Sequence, residues 1–242
     1  MLLKLEELNI LVDPYLSNSV EELDSPDLKR QIKIPYYPED LINIDLVLIT
    51  HDHIDHCDPF TIPQLAKASK NAKFMGPEPV RKKLEEWGID KKRIVPAPIS
   101  YISINDKVLI RSVPAAHPKL TLGKDKMPIA LGWLMKMNNK VIYIAGDTSL
   151  CEELIKFLKC VDQIDIAFLP VNEDNYFRRR RGIIGNMTIR EAFGLAKEVG
   201  IKTVIPVHWD LFRVNGALPE EIKAIYNGYE WPFKLSMELQ EI

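Results

Sequence analysis

The sequence predicts an α/β protein of two mixed β-sheets with helices on their outer faces. Three observations lead there. Short β-rich runs recur along the whole chain, helical patterns separate the later ones, and several runs are apolar without alternation, as strands buried on both faces are. Strand pairs come first with no helix between them, and strands and helices alternate afterwards. That order fits neither a purely alternating βαβ chain nor a helical bundle.

The first strands are read at "KLEEL" and "NILVD", followed by "DLVLIT" at residues 45–50. Helical patterns follow at "TIPQLAKASK" and at "EPVRKKLEEWG", which ends in a glycine stop. After strands "KVLIRSV", "ALGWLMKM" and "KVIYIAG" comes the helix "SLCEELIKFLKC", expected to start from a Thr or Ser cap. Strand "IDIAFLP" precedes the helix "MTIREAFGLAKEVG", where Thr188 with Glu191 three residues on is the capping-box signature. Strand "KTVIPV", helix "PEEIKAIYNG" with proline at its start and glycine after its end, and a closing strand "FKLSMEL" complete the order. No repeat or low-complexity linker divides the sequence, so residues 1–242 read as one domain.

Composition narrows the function classes. With 46% hydrophobic and 27% charged residues in 242, the chain suits a soluble globular protein with a sizeable core. A formal net charge of -2 and a pI of about 6.2 leave no global field to draw it onto nucleic acid or an anionic membrane. No apolar run approaches the ~20 residues of a membrane span. The start "MLLKLEELNILVDPYL" alternates apolar and charged residues, as a strand does and a signal peptide does not. Cys57, Cys151 and Cys160 are odd in number and lack paired spacing, which argues for a reducing compartment and a cytoplasmic protein.

The chemistry concentrates where "DLVLIT" ends. "HDHIDH", residues 51–56, holds three of the five histidines together with two aspartates. His51 and His53 point the same way if the backbone stays extended, and Asp55 and His56 face them after a turn. Such a cluster is unhelpful without a cation, and imidazole mixed with carboxylate suits Zn²⁺, Mn²⁺ or Fe²⁺. The other histidines also follow apolar strands: His117 in "SVPAAHP" and His208 in "VIPVHWD". Asp147, in "VIYIAGDTS", has the same placement, with Gly146 allowing close backbone approach and Thr148 or Ser149 able to cap the next helix. Asp147 read alone is equally a helix cap. Asp58 and Asp210, each two residues from a candidate ligand, are candidates to orient imidazoles, or else turn residues. Cys57 reads as a small buried hydrophobe and not as a ligand.

With "THDHIDH", then "AGD" and "PVH" in order, the chain resembles the metallo-β-lactamase-fold hydrolases over nearly its whole length. The nearest likeness is to the L-ascorbate-6-phosphate lactonase group, from "IDLVLITHDHIDHCDP" through "GPEPVRKKLEEWGI" and "PVNEDNYFRRRRGIIGNMT" to "VIPVHWDLF". The resemblance implies an αββα sandwich and two divalent metal ions, Mn²⁺ or Zn²⁺. It places His51, His53 and His117 on one metal, Asp55, His56 and His208 on the other, and Asp147 between them. Asp55, Asp147 and His208 are the residues it marks for catalysis. It further implies a homo-oligomer acting on a small-molecule substrate. Two cations sharing a water would lower its pKa from ~15.7 toward ~7 and supply hydroxide at neutral pH, which would open a phosphorylated sugar lactone.

Substrate recognition is expected on "VNEDNYFRRRRGIIGNMT", which follows strand "IDIAFLP" on the same strand-end rim. Asn172, Glu173 and Tyr176 suit sugar-like hydroxyls, and an arginine fork suits phosphate. Arg178 is the first choice, since the rings of Tyr176 and Phe177 would anchor the loop; most of the four arginines are expected to be solvated. The competing reading is a metal-dependent phosphodiesterase or nuclease acting on RNA or a cyclic nucleotide through "RRRR". The weakly acidic total and the lack of basic residues interleaved with aromatics disfavour it.

Overall fold

The computed structural model describes residues 1–5, 8–137 and 139–237. They form two compact units, one from residues 1–97 with 122–130, the other from 98–121 with residue 131 onward.

The first unit is built on a sheet of β1 (Leu2–Leu5), β2 (Leu8–Val12), β3 (Leu46–Leu48), β4 (Lys73–Gly76) and β5 (Ile94–Pro96), in that spatial order. β1 is antiparallel to β2 and every later pairing is parallel. The register sets Val12 opposite Leu48, so the carboxyl ends of β2 and β3 lie side by side, and the Asp13 N–H donates to the Leu48 carbonyl at 2.9 Å. β3 is shorter than the six-residue run expected. Ile49 still donates its N–H to the Met75 carbonyl, but the Thr50 N–H turns to the Asp13 carboxylate, and that exchange ends the strand.

Helices α1 (Ser19–Leu23), α2 (Ile62–Ala68) and α3 (Glu78–Glu86) belong to this unit. Ile62 and Leu65 of α2 and Val80 and Leu84 of α3 share one core with Val47, Ile49, Phe74 and Cys57. Each of the Val, Leu, Ile and Phe side chains contributes roughly 1.5–3 kcal/mol when fully buried. This burial holds the metal-binding candidates' loop between a strand and a helix that are both anchored.

The second unit carries β6 (Ile102–Asn105), β7 (Val108–Pro114), β8 (Leu131–Met137), β9 (Lys140–Ile144), β10 (Ile166–Pro170), β11 (Thr203–Val207) and β12 (Lys234–Leu235). Spatial order follows chain order, antiparallel from β6 to β9 and parallel from β9 to β12. Its helices are α4 (Glu152–Lys159), α5 (Tyr176–Arg179), α6 (Ile189–Val199) and α7 (Pro219–Asn227). Leu154, Leu158, Ala192, Phe193, Ala196 and Ile222 pack with Leu134, Tyr143, Ala167 and Leu169 of the sheet. Both sheets are thus mixed and carry helices, as the sequence predicts.

The capping box is present: Thr188 Oγ1 accepts from the Glu191 N–H at 3.1 Å and Glu191 Oε2 accepts from the Thr188 N–H at 2.8 Å. The expected Thr or Ser cap on α4 is not. Cys151 stands at that position without a side-chain cap, because Thr148 is engaged elsewhere, accepting from the Ala116 N–H and donating to the Ser149 carbonyl. Elements the sequence reading missed, β4, β5, β6, α1 and α5, are all three to five residues long. Of "KLEEL", Glu6 and Glu7 lie outside the described residues, as do residues 238 and 239 of "FKLSMEL". Among the described residues no helix is long and apolar enough to cross a membrane.

Candidate metal centre

In the first unit, His51, His53, Asp55 and His56 sit on the loop after β3. The loop turns at His53, whose carbonyl accepts from the N–H groups of His56 and Cys57 at 3.0 and 2.7 Å. That turn gathers the three rings, with the centroid of His51 4.5 Å from His53 and 4.2 Å from His56. Asp55 Oδ2 lies 3.7 Å from His56 Nε2.

A residue that the sequence reading missed organises this loop. Asp13, at the end of β2, has φ of 44°, a left-handed conformation that aspartate tolerates better than most residues. Its Oδ1 accepts from the Thr50 N–H at 2.8 Å, and its Oδ2 accepts from the Thr50 hydroxyl at 2.7 Å and lies 2.9 Å from His56 Nδ1. Thr50 Oγ1 is in turn 3.0 Å from His51 Nδ1. The single hydroxyl proton of Thr50 goes to Asp13, so Oγ1 accepts from His51 Nδ1–H. Both imidazoles therefore carry their proton on Nδ1 and their lone pair on Nε2. Carboxylate-backed imidazoles of this tautomer suit a divalent metal, so the donor set fits the ion the sequence suggests. The signal was available in "NILVDP": an aspartate ending an apolar strand, by the same argument that singled out Asp147.

The orienting part expected of Asp58 thus falls to Asp13. Asp58 is fully buried, and its carboxylate accepts from the Ser17 hydroxyl at 2.6 Å, the Thr61 hydroxyl at 2.5 Å and the Phe60 N–H at 2.9 Å. It ties the entrance of α2 to the loop after β2. Lys83 of α3 donates to the Asp52 carbonyl and lies 3.4 Å from the Asp52 carboxylate, steadying the histidine loop from the helix side. Cys57 is 1% exposed, and burial pushes its thiol up to about 12, so it is an inert packing residue as expected.

In the second unit, β9, β10 and β11 run parallel, and β7 runs the same way because β8 is antiparallel to both of its neighbours. Their carboxyl ends deliver His117, Asp147 and His208 to one edge of the sheet. Asp147 Oδ2 lies 3.7 Å from His117 Nε2 and 3.4 Å from His208 Nε2, so one carboxylate faces two imidazoles. The chain turns sharply at two of these sites, with φ of 63° at Gly146 and 62° at His208. Thr148 laces the 147–149 loop to the 115–117 loop through the Ala116 N–H, and the Ser149 N–H returns a bond to the Ala116 carbonyl at 2.7 Å. Asp210 is exposed in the bend beyond His208. Each of the seven predicted ligands offers an atom to a His/Asp group able to hold a metal ion.

The rim loop after β10 differs from expectation. Asn172 is fully buried; its Nδ2 donates to Asn215 Oδ1 at 3.2 Å and its Oδ1 accepts from Asn186 Nδ2 at 2.9 Å. It joins the loops that carry Asn186 and Asn215. Arg178 is half-buried, and all three guanidinium nitrogens donate to backbone carbonyls: Nε to Val214 at 3.2 Å, Nη1 to Glu173 at 2.6 Å and Nη2 to Gly216 at 2.5 Å. Burial lowers its pKa from the usual arginine value, opposed by Glu173 and Asp174, and it remains a structural clasp. Close packing completes the loop, since a Cβ at Gly185 would stand 2.4 Å from the Asp174 backbone. Glu173 is exposed and accepts from Asn175. Tyr176 and Phe177 are 60% and 75% exposed, so these rings do not anchor the loop. Arg179 pairs with Asp174 at 2.7 Å, and Arg180 lies over the Tyr176 ring.

Comparison with known proteins places this geometry. A family model described as the beta-lactamase superfamily domain matches residues 8–209. A UPF0173 metal-dependent hydrolase of Pyrococcus abyssi is 28% identical over 217 residues, covering 89% of this chain and 84% of that protein. A protein named as a probable L-ascorbate-6-phosphate lactonase, from Salmonella heidelberg, is 28% identical over 196 residues, which are 76% of this chain and 54% of the other. Among solved structures, a metallo hydrolase of the archaeon Ignicoccus hospitalis has the same fold, with a TM-score of 0.67 at 23% identity, covering 98% of this chain and 90% of that one. The matched span runs from β2 to just past His208 and includes every predicted metal ligand, and the chain belongs to the beta-lactamase superfamily domain family, with the metallo-β-lactamase fold.

Proposed function

We propose that this chain is a metal-dependent hydrolase that opens a small phosphorylated sugar lactone, its two units acting as one catalytic domain. His51, His53 and His117 would hold one divalent ion and Asp55, His56 and His208 a second, with Asp147 as the ligand that would serve both. The observation that carries this reading is the relay from Asp13 through Thr50, which sets the tautomers of His51 and His56 in advance. Bound manganese or zinc would acidify a water for attack and polarise the carbonyl under attack.

The chain's own residues do the rest. Asp13 and Thr50 hold two rings in one tautomer, so the donor atoms need no rearrangement when an ion arrives. Asp147 offers one carboxylate to the neighbourhood of two imidazoles, which suits a shared ligand. Burial of His51, His56 and Asp147 keeps bulk water from the donors and strengthens electrostatic interactions among them. Lactone chemistry is supported by the Salmonella relative's name and by the motif order; the Pyrococcus relative's name supports a metal-dependent hydrolase more broadly. The same reading takes a homo-oligomer in the cytoplasm, which light scattering on the purified protein and cell fractionation would test.

Protein purified without chelator should contain manganese or zinc by mass spectrometry and open phosphorylated sugar lactones. Chelation should abolish the activity, and readdition of either ion should restore it. Hydrolysis of RNA or cyclic nucleotides with no lactone opening would replace this reading with the phosphodiesterase one.

A further inference from the structure

Three arginines of the described residues are stacked or buried with their guanidinium nitrogens on backbone carbonyls, and one of them differs from the other two. Arg178 engages all three nitrogens. Arg93 does the same, donating Nε to Ala72, Nη1 to Ala66 and Nη2 to Ser69 at 2.8 to 2.9 Å. Arg30 donates Nε to the Ser17 carbonyl at 3.1 Å and Nη2 to the Tyr15 and Ser17 carbonyls at 2.7 and 3.1 Å, and among the described residues Nη1 donates to no backbone carbonyl.

The position of Arg30 gives that difference meaning. Its guanidinium carbon lies 4.1 Å from the centroid of the Tyr15 ring, which fixes the plane of the fork. The carbonyls it binds belong to the loop that begins at Asp13, the residue bonded to His56, and passes through Ser17, whose hydroxyl binds Asp58. Arg30 is therefore mounted on the same loop that orients the metal-binding candidates. Burial draws its pKa below the usual arginine value, opposed by Tyr15, which also hydrogen-bonds it through its side chain, and by Asp58 and Asp55. Among the described residues it forms no ion pair, although it is half-buried. A cation held rigidly by neutral groups, with Nη1 on no backbone carbonyl and no carboxylate partner among the described residues, is built to receive an anionic group from outside the chain.

We infer that Arg30, not the arginine run at 178–181, reads the phosphate of the substrate through Nη1. The inference rests on the proposed lactone hydrolysis and names the residue that recognises the phosphorylated end. Two substrates isolate it: 6-phosphoglucono-δ-lactone and glucono-δ-lactone, which differ only in the phosphate. For Arg30→Gln the KM of the phosphorylated lactone should rise about tenfold or more with kcat little changed, as loss of one charge-assisted bond implies. The plain lactone should change by less than about twofold, and Arg30→Lys should recover part of the loss because it keeps the charge. Metal content should stay at the wild-type level.

A binding measurement separates this inference from the reading it rests on. Metal-loaded wild-type protein should be stabilised against heat more by 6-phosphogluconate than by gluconate, and Arg30→Gln should lose that preference. If the wild type opens neither lactone, the proposed reaction falls while the thermal preference still decides Arg30. Equal losses on both lactones in Arg30→Gln would show that Arg30 only shapes the Tyr15–Ser17 loop. An unchanged phosphate preference in the variant, or none in the wild type, would also overturn the assignment.

Discussion

The histidine loop of the first unit and the arginine loop of the second are both polar stretches that follow a strand, and their polar groups are used in opposite ways. At residues 50–56 the hydrogen bonds run inward, from Nδ1 to Thr50 and Asp13, and set the lone pairs of His51 and His56 on Nε2. At residues 172–181 three side chains are consumed by other parts of the chain: Asn172 on two asparagines, Arg178 on three carbonyls, Arg179 on Asp174. A density of functional side chains thus marks a site only where the fold leaves their chemistry directed at something other than the chain.

The largest test of that contrast is Asp147→Ala. Its carboxylate faces His117 and His208, so the variant should keep its fold by circular dichroism while losing at least one metal equivalent and most hydrolysis. Full metal content with full activity would remove Asp147 from the centre.

Asp13→Ala comes next, because it releases both tautomer controls at once. Loss of a carboxylate behind a metal-binding imidazole typically costs about 10–100-fold in metal affinity, and competition with a chromogenic chelator should show at least that. Affinity within a factor of two of wild type would mean that the relay serves only the fold.

In the second loop the effects should fall on stability. Asn172→Ala leaves buried amides of Asn186 and Asn215 without their partner and should cost about 1–3 kcal/mol in urea denaturation. Arg178→Ala should likewise destabilise by about 1–3 kcal/mol while leaving the preference for a phosphorylated lactone intact. A selective rise in KM for the phosphorylated substrate would return Arg178 to the recognition role its sequence position suggested.

The smallest effect is expected at Arg180, which is exposed over a Tyr176 ring that is itself exposed. Arg180→Ala should shift stability by no more than about 0.5 kcal/mol and leave KM unaltered. A graded loss of RNA binding on replacing Arg179, Arg180 and Arg181 in turn would instead support the phosphodiesterase reading.

Periodicity, caps and motif order were enough to read the longer strands and helices and to single out seven candidate ligands, because each depends on local chemistry. An unbroken apolar run implies a buried strand, Thr188 with Glu191 implies a helix start, and a polar burst after a strand implies an edge where side chains collect. The short elements β4, β5 and β6 escaped because three or four residues carry too little pattern to separate strand from loop.

What only the tertiary structure decided was the use of each donor and acceptor. Asp13 and Thr50 lie 37 residues apart in sequence and meet because β2 and β3 run parallel with Val12 opposite Leu48. Arg178 meets the carbonyls of Val214 and Gly216 from 36 and 38 residues away. An arginine quoted from a sequence carries five N–H donors whatever surrounds it. Hydrogen bonds are short-ranged and directional, so whether those donors remain for a substrate is settled by which backbone carbonyls the fold sets within three ångströms or so.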